Sequence, residues 1–242
     1  MDKAGGTVEA GSAAVVDVVR PGMSFWWRWV AANSLAELVG LGSTALLFIA
    51  IAPRIDGASL GVALAYAGVV AVGGALFEGV SVGYAQWFVL RTALPALRLR
   101  PWVVATSLGA FVAWALGMLP STLLSAGGAA SGRAPDLGGV AMYIAAAGMG
   151  VVLGPMLGVP QALVLVRHRV RARWWVLANS LAWAVGMPIV FVGAGSVSQD
   201  AGLASIVGWV VVTLLAAGAA VGAVNGAVLV WTLRRAAERV EE

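Results

Sequence analysis

Glu78-Gly79-Val80-Ser81-Val82-Gly83-Tyr84-Ala85-Gln86 lies in an apolar run that begins near residue 60, and its skeleton returns twice more in the chain. The second copy reads Leu153-Gly154-xxx-Gly158-xx-Gln161, and the third Ala217-Gly218-xxx-Gly222-xx-Asn225. The apolar run before each copy carries a matching heading: Trp29-Val-Ala-Ala-Asn33-Ser34-Leu35, Trp102-Val-Val-Ala-Thr106-Ser107-Leu108 and Trp175-Val-Leu-Ala-Asn179-Ser180-Leu181. One helical hairpin is therefore written three times, over about 25–91, 98–167 and 171–235, in what reads as a single membrane domain spanning 1–242. Each unit contains two crossings, so every copy enters the bilayer in the same sense. That predicts a pseudo-threefold axis along the membrane normal and a central hollow.

The surrounding composition agrees. Of 242 residues, 61% are hydrophobic and 11% charged, and the mean hydropathy is +0.93, which lies outside soluble globular statistics. Apolar stretches fall at about 29–50, 60–90, 101–124, 139–166, 174–196 and 203–232, each long enough for the ~20 residues that one crossing needs. The expected fold is all-α, a polytopic membrane protein of six transmembrane helices. Fourteen Arg against one Lys, with abundant Ala, Gly and Val, is the composition of a high-GC bacterial genome. Of the 15 basic residues, only Arg54 and Arg133 fall in the loops opposite the termini, which places both termini in the cytoplasm and the protein in the bacterial inner membrane. Residues 1–24 read as a cytoplasmic tail without the compact apolar core of a cleavable signal.

Several chemistries are excluded at once. There is no Cys and a single His, His168, so no thiolate or histidine-built metal centre is available and no cofactor is expected. The net charge of +4 comes from arginines that flank apolar spans, so the expected partner is the lipid bilayer and not nucleic acid. Trp26, Trp27, Trp29, Trp102, Trp174, Trp175 and Trp231 read as an interfacial aromatic belt. Asp56, Asp136 and Asp200, each just before an even-numbered span, read as helix N-caps.

Polar residues inside the spans need hydrogen-bond partners. Asn33, Thr106 and Asn179, with Gln86, Gln161 and Asn225, recur in every copy and read as a repeated lock between adjacent helices. What folding requires should recur, whereas what asymmetric chemistry requires should appear once. Glu37 aligns with Ala110 and Trp183, and Glu78 with Leu153 and Ala217, so the two acids well inside the spans break the repeat. A charged acid at mid-membrane costs about 2.5–3.5 kcal/mol on insertion scales, which makes each a functional candidate. At ~1.5 Å per residue, Glu37 lies about 13 Å from Arg28 and Glu78 about 19 Å from Arg91, so the two share a layer. In a dry site at least one should remain protonated, able to donate to a substrate that water would not protonate. Trp114, Trp183, Phe77, Phe111 and Tyr84 lie at similar depth and are candidate cation-stabilising walls. Ala113-Trp114-Ala115-Leu116-Gly117-Met118 also mimics Ala182-Trp183-Ala184-Val185-Gly186-Met187, but is displaced by about one turn.

In size, six spans, Glu37, Glu78 and tryptophan content, the chain resembles the small integral-membrane class II terpene cyclases of bacterial meroterpenoid pathways. The resemblance implies a metal-independent isomerase that protonates an alkene or epoxide of an apolar prenylated substrate and guides the carbocation. Glu78 would be the proton donor and Glu37 its partner or an alternative acid. No Asp-rich diphosphate motif lies in the spans, so initiation by protonation is expected rather than by ionisation. Two other readings fit the same residues: a proton-coupled carrier, with the acids as a relay, and a noncatalytic scaffold, with the acids merely hydrogen-bonded.

Overall fold

A computed structural model describes residues 18–55, 58–126, 139–168, 170–196 and 200–241. Among these residues there are six helices: α1 (Met23–Ile55), α2 (Leu60–Leu90), α3 (Leu99–Ala126), α4 (Val140–Val166), α5 (Ala172–Gly195) and α6 (Leu203–Glu241). All six are long and apolar enough to cross a membrane. Without water to satisfy backbone N–H and C=O groups, a helix is the economical way for such a chain to cross lipid. The helices match the six expected spans. α1 begins six residues earlier than expected and α6 runs nine residues further, both at the basic end.

Each helix packs on its two neighbours in sequence, and α1 closes on α6, so the six form a ring. Close seams recur where the glycine motifs meet the serine that follows each Asn or Thr. A methyl group at Gly154 would sit 2.6 Å from Ser180 Cα, and one at Gly218 would sit 2.7 Å from Ser34 Cα. Gly79 meets Ser107 in the same way. Only glycine lets these backbones touch, the small-residue packing that replaces hydrophobic association in lipid. Ser34 and Ser180 then donate across their seams to the carbonyls of Leu215 and Val151, each at 2.7 Å.

The outer face presents Leu35, Leu46, Ile49, Leu163, Leu181 and their like to lipid. At the basic end, Val19 N–H donates to Ala93 O at 3.0 Å. The Arg234 Nε–H donates to Pro21 O at 2.9 Å, and Arg20 pairs with Glu238 at 3.2 Å. These contacts draw the N-terminal segment, the α2–α3 connection and α6 together.

Two local expectations change. The residues at the N-caps of α2 and α4 are Ser59 and Gly139. Asp56 and Asp136 lie outside the described residues, three positions before those caps, and Asp200 stands three residues ahead of the first residue of α6. Secondly, Trp29, Trp102 and Trp175 are fully buried rather than interfacial. Trp175 contacts the other two, with ring centroids 5.9 Å from Trp29 and 6.3 Å from Trp102. Together they form an aromatic floor inside the ring. Trp27, 60% exposed, and Trp231, 39% exposed, keep the surface positions that an interfacial belt requires.

Candidate functional site

The floor supports a layer of amides whose orientation is fixed by chemistry. An indole nitrogen can only donate. Trp175 Nε1 donates to Gln161 Oε1 at 3.0 Å, so Gln161 Nε2 is left to donate to Gln86 Oε1 at 2.9 Å and to Thr106 Oγ1 at 2.8 Å. Gln86 Nε2 in turn donates to Asn33 Oδ1 at 2.9 Å, and Asn33 Nδ2 to the Trp29 carbonyl at 2.8 Å. One directional chain thus runs from α5 through α4 and α2 to α1. Trp29 Nε1 donates separately to Asn225 Oδ1 on α6 at 2.8 Å.

The interhelical lock is therefore less uniform than the sequence pattern. Asn33, Thr106 and Asn179 all donate back to the carbonyl four residues earlier. By analogy with the other two tryptophans, Trp102 should donate to Gln86, but Gln86 Oε1 accepts from Gln161 instead, and Trp102 Nε1 has no partner among the described residues. Asn225 is one methylene shorter than Gln86 and Gln161, and its Nδ2 is also without a partner.

Immediately beyond this layer lie Glu37 and Glu78, 2% and 5% exposed. Gly40, one turn after Glu37, brings α1 against α2 so closely that a methyl there would fall 2.5 Å from Glu78 Cα. Both acids line a small polar chamber of about 20 Å³, together with the amide layer and Trp183. Trp114 Nε1 donates to Glu78 Oε2 at 2.7 Å. Gly74 makes room for that indole, since a methyl at Gly74 would lie 2.5 Å from Trp114 Nε1. The one-turn displacement of the Ala-Trp-Ala motif is thereby explained: it lifts Trp114 from the level of Trp183 to where it reaches Glu78.

Above the chamber is a second cavity of about 240 Å³, lined by Trp114, Trp183, Met118, Met149, Met187, Leu153, Leu157 and other apolar side chains, with Glu78 as the only ionisable group among the described residues that line it. Its volume lies just below the usual small-molecule range of about 300–1,000 Å³, and its methionines supply an adaptable wall. Glu78, Trp183 and Leu157 line both spaces, whereas Glu37 lines the polar one.

Of the residues singled out in the sequence, Glu37, Glu78, Trp114 and Trp183 come together. Phe77, Phe111 and Tyr84, at 44%, 40% and 53% exposure, stand on the outer surface and line neither cavity. Helix rotation accounts for this: at about 100° per residue, the neighbours of the inward positions 78 and 110 turn aside. Sequence reading missed the three methionines, which carry no signal that separates cavity lining from packing. It also missed Gly74, whose role depends on an indole from another helix. Among the described residues no group of three or more His, Cys, Asp or Glu gathers.

No protein-family model, curated protein or solved structure matches this chain.

Proposed function

We propose that the protein is a metal-independent acid catalyst of the class II terpene cyclase type, acting on the end of a prenyl chain within the bacterial inner membrane. One observation carries the reading: a carboxyl, Glu78, is the one ionisable group among the described residues that line an apolar cavity flanked by two indoles. Trp114 engages Oε2, leaving the other carboxyl oxygen to hold the transferable proton. In the first step that O–H bond breaks as a C–H or epoxide O–H bond forms on the substrate, and positive charge develops at carbon. Trp114 and Trp183 offer π faces worth about 0.5–2 kcal/mol each to a cation. Ring closure follows, and the carboxylate recovers a proton from the final cation, so substrate and product are isomers.

A cavity of about 240 Å³ suits the terminal isoprene units, with the remainder of the substrate extending toward lipid. The fold that presents this site is read as three hairpins about a pseudo-threefold axis, with the acids in the first copy only. Both termini face the cytoplasm on this reading, because the arginines gather at their end of the bundle.

The test uses purified, detergent-solubilised protein and a panel of prenylated aromatic and indole compounds with their terminal epoxides. The expected result is a product of unchanged mass and altered retention, with no acidification or alkalinisation when the protein is reconstituted in liposomes. Proton movement coupled to uptake of a panel member, without isomer formation, would instead establish the carrier reading. A chain that neither converts nor moves any panel member would favour the scaffold.

A further inference from the structure

The polar chamber beneath Glu78 contains two buried atoms of complementary character that lack partners. Asn225 is 1% exposed; Trp29 fixes its Oδ1 as the acceptor, so its free Nδ2 is a donor. Glu37 is 2% exposed, and its Oε2 is unpartnered. Both residues line the same space of about 20 Å³. A water molecule needs roughly 10–15 Å³ of such volume and two to four polar partners. A cation would satisfy Glu37 but would face the Asn225 N–H, which cannot coordinate it. Water satisfies both, accepting from the Asn225 N–H and from the O–H of a protonated Glu37, with two protons to spare, one of them for Glu78.

We infer that this chamber binds one water molecule between Asn225 and Glu37, and that through it Glu37 serves as the proton reserve of Glu78. The inference rests on reading Glu78 as the acid facing the substrate. After Glu78 has given up its proton, the Glu37 O–H bond breaks as a new O–H forms on the water, while another O–H of that water breaks and the Glu78 O–H is remade. The net effect moves one negative charge from Glu78 to Glu37, next to the water held by Asn225. When the product cation returns its proton to Glu78, the same steps run backwards and reload Glu37.

On this inference Glu37 meets solvent through the boundary between the two spaces, which Glu78 shares with Trp183 and Leu157. Below it, Gln161, Gln86 and Asn33 are tied into one hydrogen-bonded chain and the Trp29, Trp102 and Trp175 floor is fully buried. Glu78 is the acid that lines both spaces, so hydrogen at Glu37 exchanges by way of Glu78.

Infrared spectroscopy of the purified full chain, transferred from H2O to D2O, tests this without any substrate. The carbonyl stretch of protonated Glu37, assigned by its loss in Glu37→Gln, is expected in the parent and should shift on deuteration together with that of Glu78. In Glu78→Gln its exchange should slow at least tenfold. Asn225→Leu, which removes the amide and fills the chamber, should slow it similarly. Absence of a protonated Glu37 band in the parent would overturn the inference, as would unchanged exchange in Glu78→Gln. Should Asn225→Leu fail to give a monodisperse helical protein, Glu78→Gln decides alone. The reading of Glu78 as substrate acid is judged by product formation, so a failure in this exchange experiment leaves that separate question to its own assay.

Discussion

Gln161 is the branch point of the buried amide chain, and its replacement by Leu should be among the most destabilising single changes in the protein. Its side chain joins four helices: it accepts from Trp175 on α5 and donates to Gln86 on α2 and Thr106 on α3, from its own place on α4. Three interhelical bonds are lost, and at an average of about 0.6 kcal/mol each in membrane proteins they contribute about 2 kcal/mol. Two groups are also stranded. Trp175 Nε1 loses its acceptor and Gln86 Oε1 its donor, and an unsatisfied buried polar atom costs about 1–3 kcal/mol. Thr106 keeps its bond to the Trp102 carbonyl and is spared. The two contributions sum to an expected loss of about 4–8 kcal/mol, against about 2–4 kcal/mol for Asn225→Ala, which removes one bond and strands the buried Trp29 Nε1. Reversible unfolding in mixed micelles, followed by tryptophan fluorescence, measures both. Leu163→Ala, on the lipid-facing side of the same helix, is the control. If Gln161→Leu fell within about 0.5 kcal/mol of the parent, as a neutral surface change does, the directional chain would not be what holds the interior together.

Other expectations are more local. Gly74→Ala should push the Trp114 indole off Glu78 and reduce product formation at least tenfold, while Gly61→Ala, which meets nothing within 4 Å, should leave it unchanged. Phe77→Ala, Phe111→Ala and Tyr84→Ala should retain product formation within about twofold of the parent, since these side chains face outward. At the basic end, burial and secondarily the Arg167 charge hold the His168 imidazole below its ordinary range. The unfolded chain therefore binds this proton more readily than the folded one. Stability is full above the unfolded value of about 6.5 and declines as pH falls below it, so His168→Gln should flatten that part of a stability-against-pH curve.

The six spans were legible because hydropathy alone decides what crosses lipid, and the seams were legible because Gly79, Gly154 and Gly218 recur at one register. The site was legible in part, through the filter that separates recurring from unique residues. That filter found Glu37 and Glu78, and applied to tryptophan it separates the recurring Trp29, Trp102 and Trp175 from Trp114. Depth along a span does not distinguish interface from interior, so the recurring tryptophans read as a belt although they form the floor. Helix rotation was the other missing quantity. Phe77 and Phe111 each adjoin an inward residue and share its depth, yet one step along a helix turns a side chain about 100° away. The break in the amide pattern at Trp102 was hidden for a different reason, because it depends on which way the amides of Gln86 and Gln161 point in three dimensions.

Glu78→Gln keeps the side chain's shape and its ability to accept from Trp114 while removing the transferable proton. Product formation from a prenylated substrate that the parent protein converts should vanish in this variant while its unfolding midpoint stays close to the parent's. Conversion at the parent rate by well-folded Glu78→Gln protein would show that a group other than this carboxyl starts the reaction.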